Sequence, residues 1–286
     1  MTLRSGRASF FWQRYPRLTA GLLIVLAILL IGPGGRFFVD ADGAKVGSAP
    51  PARPPSVEYP LGTDTHGRQL LPVIILGTPK TMRVGLMAGA IGLGVGILLG
   101  FVAGYTGGIV DNIIKGAADI LLTVPGLLLL VVIATSLRGT VRVNLLALGV
   151  SALAWMWPTR TIRSQVLTLR EREFVRMAKL GGMKGAEIIV RELMPNLLPY
   201  LAASFVSAVA SAILASIGLE ALGLGPQNEP TLGMTIYWAI YYTSLLRGLW
   251  WWWAPPIAII VLTFMGLFLI SAGLDQIANP RLRRFL

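Results

Sequence analysis

Residues 173–196 read EFVRMAKLGGMKGAEIIVRELMPN, a charged stretch inside an otherwise apolar, glycine-rich chain of 286 residues. Gly181-Gly182 predicts a helix end, because glycine readily takes the left-handed conformation that follows many helices. Pro195 predicts a break, because the residue before a proline is biased away from helical geometry. The stretch therefore predicts a short helix-turn-helix that carries many charges.

The first helix of this pair is predicted to start at Thr168-Leu169-Arg170-Glu171, which has the T-x-x-E form of a capping box. An apolar stripe follows at helical spacing, made of Phe174, Met177, Ala178 and Leu180. The second helix is predicted over about residues 184–193. Such an amphipathic hairpin fits docking to a partner protein and contact with anionic lipid headgroups equally well, and the residues leave both readings open.

Composition places the chain in a membrane. Hydrophobic residues make up 55% and charged residues 13%, about half the roughly 25% charged residues of soluble domains. The net charge is +12, but the cations mostly flank apolar segments, which is typical of membrane orientation signals rather than of nucleic-acid binding. The chain has no cysteine and His66 is its only histidine, which excludes disulfides, thiolate metal sites and histidine clusters.

Six apolar segments have about the length of the roughly 20-residue helix that crosses a hydrocarbon core. They are residues 18–39, 84–105, 117–137, 143–159, 199–220 and 254–274. The predicted fold is therefore an all-α integral membrane protein with six transmembrane helices. Arginines precede the first segment, so a cleaved signal peptide competes with a retained signal anchor; we favour the anchor because no A-x-A site directly follows.

The distribution of lysine and arginine orients the segments, because cytoplasmic loops carry the excess of these cations. The excess favours both termini inside. The chain then divides into a cytoplasmic N-terminus (1–17), a first span (18–39), an extended extracytoplasmic linker (40–83), a five-helix core (84–275) with a cytoplasmic loop at 165–198, and a cytoplasmic tail (276–286).

Glycines recur at steps of three and four along the second predicted span: Gly85, Gly89, Gly92, Gly96, Gly100 and Gly104. This spacing keeps them on one helix face, where small residues let helix backbones approach closely. The pattern fits both a sliding or tightly packed pore helix and static helix packing.

Trp250–Trp253 directly precede the last predicted span. Tryptophans at this position are typical of the belt that lies at a membrane–water interface. A platform on which a sugar ring stacks is the alternative interpretation.

Several motifs are absent from the sequence. No G-x-x-x-x-G-K-[ST] loop and no G-x-G-x-x-G occurs, so we do not expect this chain to bind ATP or a dinucleotide. The span cores carry no ionisable residue, which argues against proton coupling, although a sodium site made of carbonyl groups stays open. Glu220 and Asp119 lie at span ends and are interpreted as snorkelling or capping groups. With no convincing cluster of catalytic residues, energy is expected to enter through the charged loop.

The charged loop resembles the EAA motif of binding-protein-dependent ABC importer permeases. In that family a glycine is followed thirteen residues later by a proline, as Gly182 and Pro195 are here. The triplet that names the motif falls on Arg176-Met177-Ala178, so its last alanine alone matches. The subfamily pattern E-[YF]-V-x-A-A matches through Glu173, Phe174, Val175 and Ala178, and the Ile-Ile-x-Arg and Pro-Asn elements appear at 188–191 and 195–196.

Four further segments resemble the second permease subunit of dipeptide/oligopeptide importers. Residues 61–68 (LGTDTHGR) are similar to its L-G-T-D-x-x-G-R, and residues 103–108 (AGYTGG) to its A-G-Y-x-G-G. Residues 222–225 (LGLG) match its L-G-L-G, and residues 279–282 (NPRL) replace its D-P-R-L. The motifs occur in the family's order along nearly the whole chain.

The resemblance implies a six-helix type I ABC importer permease with a cytoplasmic coupling helix, located in a bacterial or archaeal inner membrane. It implies three kinds of protein partner: a homologous permease subunit, two ATPase subunits or domains that hold ATP and Mg, and an extracytoplasmic binding protein. Membrane lipid surrounds the chain, and no nucleic acid is involved. We expect no catalytic, cofactor or metal residue in this chain.

The resemblance places ATPase coupling on nine residues: Arg172, Glu173, Phe174, Arg176, Ala178, Lys179, Gly182, Pro195 and Asn196. It assigns no residue to the substrate path. Peptides are the family's usual substrate, while oligosaccharides, metals such as nickel, and other small solutes stay open. An ion-coupled secondary transporter and a lipid-binding scaffold are the alternatives from other functional classes.

Overall fold

The computed structural model describes residues 15–136 and 141–278, and regular structure within these ranges is helical apart from one isolated bridge between Thr63 and Gln69. The all-α prediction is thus confirmed for the described residues. The helices are α1 (Pro16–Gly35), α2 (Leu70–Thr106), α3 (Gly108–Thr123), α4 (Gly126–Ser136), α5 (Val143–Ala154), α6 (Met156–Leu169), α7 (Glu173–Leu180), α8 (Gly185–Ala221), α9 (Leu232–Tyr241) and α10 (Trp250–Ala278). The NPRL segment and most of the two predicted terminal segments lie outside the described residues.

Among residues 15–136 and 141–278, four helices are long and apolar enough to cross a membrane, namely α1, α2, α8 and α10. The prediction of a single helix over 117–137 is wrong, because α3 and α4 meet there at a bend of 89°. Val124 has an extended conformation (ψ 133°) and precedes Pro125, which disfavours helical geometry in the residue before it. Counted together, α3 and α4 make a fifth candidate span.

The predicted span at 143–159 is also divided, into α5 and α6, with Trp155 between them. Pro158 explains the break, because it has no N–H to donate to the carbonyl of Ala154 and its ring crowds that carbonyl. Neither helix alone has the length of a membrane span.

Helix α2 has 37 residues and begins at Leu70, fourteen positions before the predicted start at 84. Residues 70–83 are therefore helical, and the predicted extracytoplasmic linker ends too late. At about 1.5 Å per residue the helix is about 55 Å long, well beyond a hydrocarbon core of about 30 Å. Lys80 and Arg83 lie in its N-terminal part, before the glycine-rich apolar run that begins at Gly85.

The predicted break at Pro195 is wrong, because α8 runs through it from Gly185 to Ala221. Residues Ile189–Leu193 form a π-helical turn, in which the N–H of Met194 donates to the carbonyl of Ile189. This wider turn relieves the clash that the Pro195 ring would make with the preceding turn. The second helix of the charged hairpin (residues 173–196) is consequently continuous with a membrane-spanning helix.

The glycines of α2 pack against two different neighbours. Gly85 and Gly89 lie on α8, whereas Gly92, Gly96, Gly100 and Gly104 lie on α5 and α6. A Cβ at Gly100 would lie 2.9 Å from the Cβ of Ile162. The structure therefore supports the packing interpretation of the glycine pattern, since any larger residue would separate these helices.

Helix α1 packs along α10 in the same manner. A Cβ at Gly21 would lie 2.7 Å from the carbonyl oxygen of Gly266, and Gly273 lies against Leu18. Close contact between small residues thus joins the first described helix to the last one.

Candidate functional site

Helix α7 in the charged hairpin begins later than predicted. Helix α6 runs on to Leu169, and the Thr168 hydroxyl donates to the carbonyl of Ser164 at 3.2 Å instead of capping a new helix. The capping-box prediction is therefore wrong, because Thr168 lies in the last turn of an existing helix. A short link follows, and α7 starts at Glu173 after Arg172.

The end of α7 is a Schellman turn, in which two amides beyond the helix donate back to its last carbonyls. The N–H of Gly182 donates to Lys179 at 3.0 Å and that of Met183 to Ala178 at 3.1 Å. Gly182 has a φ of +82°, whereas Gly181 has a φ of −74°. Of the two glycines in the pair, Gly182 is the one that the left-handed conformation requires.

The predicted apolar stripe of α7 divides between two faces. Val175 is fully buried, and Phe174 and Ala178 are half-buried against the same apolar cluster. Met177 and Leu180 instead point outward, with exposed fractions of 67% and 82%. The stripe prediction is wrong in this respect: α7 uses part of it to pack on its own chain and presents the rest outside.

The remaining predicted coupling residues surround this outward face. Four charged side chains of the set are exposed, as is Gly182: Arg172, Glu173, Arg176 and Lys179. Pro195 and Asn196 are exposed in α8, where the Asn196 amide donates to the carbonyl of Glu192 at 2.6 Å. The hairpin therefore offers a mainly basic surface with apolar side chains in it, which can bind an acidic groove.

A cavity of about 760 Å³ lies between α3–α6, α8 and α10. One face of α8 lines it at helical spacing with Tyr200, Ser204, Ser207 and Ser211. Its volume falls in the range of small-molecule sites, and the serine hydroxyls can donate and accept hydrogen bonds. Sequence reasoning assigned no residue to a substrate path, although the 200–211 spacing of hydroxyl-bearing residues was a readable signal.

Residues 40–69 form a compact loop cap, so the predicted extended linker is wrong here too. Asp64 is buried and organises the cap by accepting bonds from the amides of His66 (2.8 Å) and Arg68 (2.9 Å). The Arg68 Nε donates to the same carboxylate at 2.6 Å. The cap is thus held by buried polar bonds, which the proline-rich composition of 50–60 concealed.

The cap packs on the aromatic residues of α9 and α10. The His66 ring meets Trp238 and Tyr242 edge-on at centroid distances of 5.2 and 4.8 Å. Trp251 donates its Nε1 hydrogen to the carbonyl of Thr63 at 3.2 Å, and Trp252 is fully buried. At least two of the four predicted belt tryptophans therefore stabilise the chain's own fold.

Glu220 is fully buried, so the predicted snorkelling is wrong. Its carboxylate accepts from the Thr231 hydroxyl and, at 2.9 Å, from the amide of Met234. Thr231 is the N-cap residue of α9 and Met234 lies in its first turn. Glu220 therefore stabilises the start of α9 and not the end of its own helix, α8. Asp119 was the other residue predicted to snorkel or cap, and its Oδ1 lies 3.6 Å from Nη1 of Arg160.

Apolar spans, an open cavity lined by six helices, a loop cap on one side and a basic hairpin continuous with a spanning helix define the class of a multi-pass membrane permease. The chain belongs to the family described as binding-protein-dependent transport system inner membrane component, which matches residues 96–284. The match includes the hairpin and the cavity-lining part of α8.

Named relatives support this placement. An oligopeptide transport system permease protein OppC of Escherichia coli is 33% identical over 208 residues, covering 72% of this chain and 67% of the relative. A dipeptide transport system permease protein DppC of Bacillus subtilis is 29% identical over 276 residues, covering 96% and 85%. An OppC of Mycobacterium tuberculosis is 32% identical over 185 residues, and the match spans 64% of that relative's length.

Proposed function

We propose that this chain is a transmembrane permease subunit of an ATP-driven, binding-protein-dependent importer, with peptides as its substrates. The family and the names of the relatives support this. Counting α3 with α4 and α5 with α6 as single spans makes six. Both termini then lie in the cytoplasm of a bacterial or archaeal inner membrane, with the charged hairpin inside and the loop cap outside.

The continuity of α8 carries the proposal. It begins in the charged hairpin at Gly185 and its later turns line the cavity with Ser204, Ser207 and Ser211. A helix is stiff along its axis, so a displacement of the hairpin moves the cavity wall. Energy supplied at the hairpin can thereby change access to the cavity.

The proposed partners are supported by the binding-protein-dependent transport family to which the chain belongs. Two ATPase subunits or domains, which hold ATP and Mg, bind the outward face of α7 through Arg172, Glu173 and Arg176. A homologous permease subunit contributes the other half of the path, and an extracytoplasmic binding protein delivers the substrate. This chain serves as the non-catalytic membrane subunit.

The test uses the assembled complex, purified with its ATPases and binding protein and reconstituted in liposomes. Gly182→Asp is expected to abolish substrate-stimulated ATP hydrolysis, because it places a negative charge at the hairpin tip where an acidic partner groove is proposed. Gly248→Asp is the matched control. Both glycines have positive φ (+82° and +71°) and no heavy atom within 4 Å of an added Cβ, but Gly248 lies in the turn before α10, on the extracytoplasmic side.

Wild-type stimulation in the assembled Gly182→Asp complex, or equal loss in the Gly248 control, contradicts the coupling role of the hairpin. Peptide uptake that persists without ATP while an ion gradient is intact identifies a secondary transporter instead. Uptake of labelled peptides compared with oligosaccharides decides the substrate class.

A further inference from the structure

Tyr105, in the last turn of α2, lies directly against the charged hairpin. A Cβ on Gly185 would come within 2.8 Å of the ring carbon Cε1 of Tyr105. The ring therefore occupies the space that any side chain at Gly185 would need, and it touches the first residue of α8. It also belongs to the apolar cluster on which Phe174 and Ala178 pack.

The same ring faces α7. The Lys179 Nζ lies 5.6 Å from the ring centroid, within the distance at which an ammonium is attracted to an aromatic face. Tyr105 thus contacts both helices of the hairpin, one on each side of the Gly181-Gly182 turn.

Arg170, in the link between α6 and α7, makes a second attachment to the same end of α2. Its Nη1 donates to the carbonyl of Gly104 at 3.0 Å. The last carbonyls of a helix have no partner within the helix and carry a partial negative charge, so a guanidinium there is stabilising.

Helix α2 connects this attachment to the loop cap on the other side of the protein. Its first amide, on Leu70, donates to the carbonyl of Gly62 in the cap at 3.1 Å. Its glycines hold it against α5, α6 and α8 along its length. One continuous helix therefore reaches from the cap to the hairpin.

We propose that Tyr105 is a positioning residue which, with Arg170, fastens the charged hairpin to α2, so that movement of the hairpin is transmitted to the cap as well as to the cavity wall. This rests on the proposed coupling of the hairpin to an ATPase. Without the ring, the Arg170 bond to Gly104 would remain as the weaker attachment of the hairpin to α2, and hydrolysis would respond less to events at the cap.

The experiment compares Tyr105→Leu with Tyr105→Phe in the reconstituted complex. Leucine keeps apolar bulk but removes the aromatic face, whereas phenylalanine keeps the face. We expect Tyr105→Leu to lower the ratio of stimulated to basal ATP hydrolysis by about two- to fivefold, the range given by the loss of one cation–π contact. Basal hydrolysis and the amount of assembled complex stay unchanged, and Tyr105→Phe behaves as the wild type.

A double-mutant cycle with Lys179→Met isolates the contact. Lys179→Met is expected to lower stimulation in the wild-type background and to have little further effect in Tyr105→Leu. A nitroxide on Leu180→Cys, in a chain without other cysteines, is expected to become more mobile with Tyr105→Leu and not with Tyr105→Phe.

Stimulation and label mobility equal to wild type in Tyr105→Leu overturn the proposal, as does strict additivity with Lys179→Met. If Tyr105→Leu does not assemble, the mobility of the Leu180→Cys label in the Lys179 variants decides, because Lys179 is itself in the predicted coupling set and a loss of stimulation there would not separate the two roles. Unchanged mobility in Lys179→Met overturns the proposal, while a higher mobility that returns to the wild-type value in Lys179→Arg supports it. A wild-type complex without ATP-dependent uptake refutes the proposed importer function itself, which separates the two failures.

Discussion

Gly182 ends α7 with a φ of +82°, and no heavy atom lies within 4 Å of a Cβ built on it. Gly182→Ala therefore adds no clash, and its cost is that of placing an L-residue in the left-handed region, about 1–2 kcal/mol. Gly181→Ala is the matched control. The φ of Gly181 is −74°, and its added Cβ would lie 3.4 Å from the Met177 carbonyl oxygen, an ordinary contact.

This free-energy cost destabilises the closed Schellman turn, whose two hydrogen bonds are donated by the amides of Gly182 and Met183. A change of 1–2 kcal/mol raises the population of the open turn by about five- to thirtyfold. Hydrogen exchange followed by mass spectrometry over residues 177–185 measures this directly. We expect faster exchange in Gly182→Ala, wild-type exchange in Gly181→Ala, and partial recovery in Gly182→Asn, because asparagine tolerates the left-handed region.

Equal exchange in the two alanine variants would refute the assignment of the left-handed turn to Gly182. Faster exchange across the whole of α8 would also contradict the reasoning, because the cost should stay local to the turn.

Two further predictions concern helix packing and pH. Gly100→Ala is expected to lower thermal stability in detergent, because its Cβ would lie 2.9 Å from that of Ile162 and overpacking costs about 1–3 kcal/mol. Gly94→Ala, which meets open space in the same helix, should be neutral or stabilising, and equal losses would contradict the packing argument. Burial lowers the pKa of His66 from its ordinary 6.5, while Asp64 opposes the shift. The neutral form is thus favoured in the folded cap, so its stabilisation is complete above pH 6.5 and is lost as pH falls through the lowered value. Denaturant unfolding followed by tryptophan fluorescence should show a less stable cap at about pH 5 than at about pH 8, and unchanged pH dependence in His66→Gln would contradict this.

Apolar runs located the first and last helices well. The predicted segments 18–39 and 254–274 correspond to Pro16–Gly35 and Trp250–Ala278. The last helix starts earlier than predicted because its tryptophans belong to its first turn. Boundaries of this kind depend on local contacts rather than on hydropathy.

Prolines were the main source of error. Pro195 was predicted to break the chain and lies inside α8, whereas Pro125 and Pro158 lie at breaks that were not predicted. All three lack the same N–H, and what differs is how the preceding turn is arranged. A π-turn of five residues precedes Pro195, whereas the residue before Pro125 is extended and Pro158 follows the division at Trp155. Pro79 lies inside α2 without such a turn, so the π-turn is a local solution at Pro195 and not a general rule.

The hairpin was predicted in outline as a structure, and its coupling role stays a prediction. The spacing from Gly182 to Pro195 located the hairpin, and the glycine pair located its turn. The division of the apolar stripe between inward Phe174 and outward Leu180 was missed, because both fit one helical pattern in sequence. The cavity was missed as well, because its lining comes from six helices.

The sequence by itself determined that this chain belongs in a membrane, which segments are apolar, and which stretch carries a dense run of charges. These properties are sums over residues or short spacings, so they do not depend on what packs against what. The tertiary structure alone decided that 40–69 folds into a cap on the aromatic residues, that Glu220 is buried under α9, and that Tyr105 meets the hairpin. Each of these depends on pairs of groups far apart in the chain, whose contacts arise after the helices have packed.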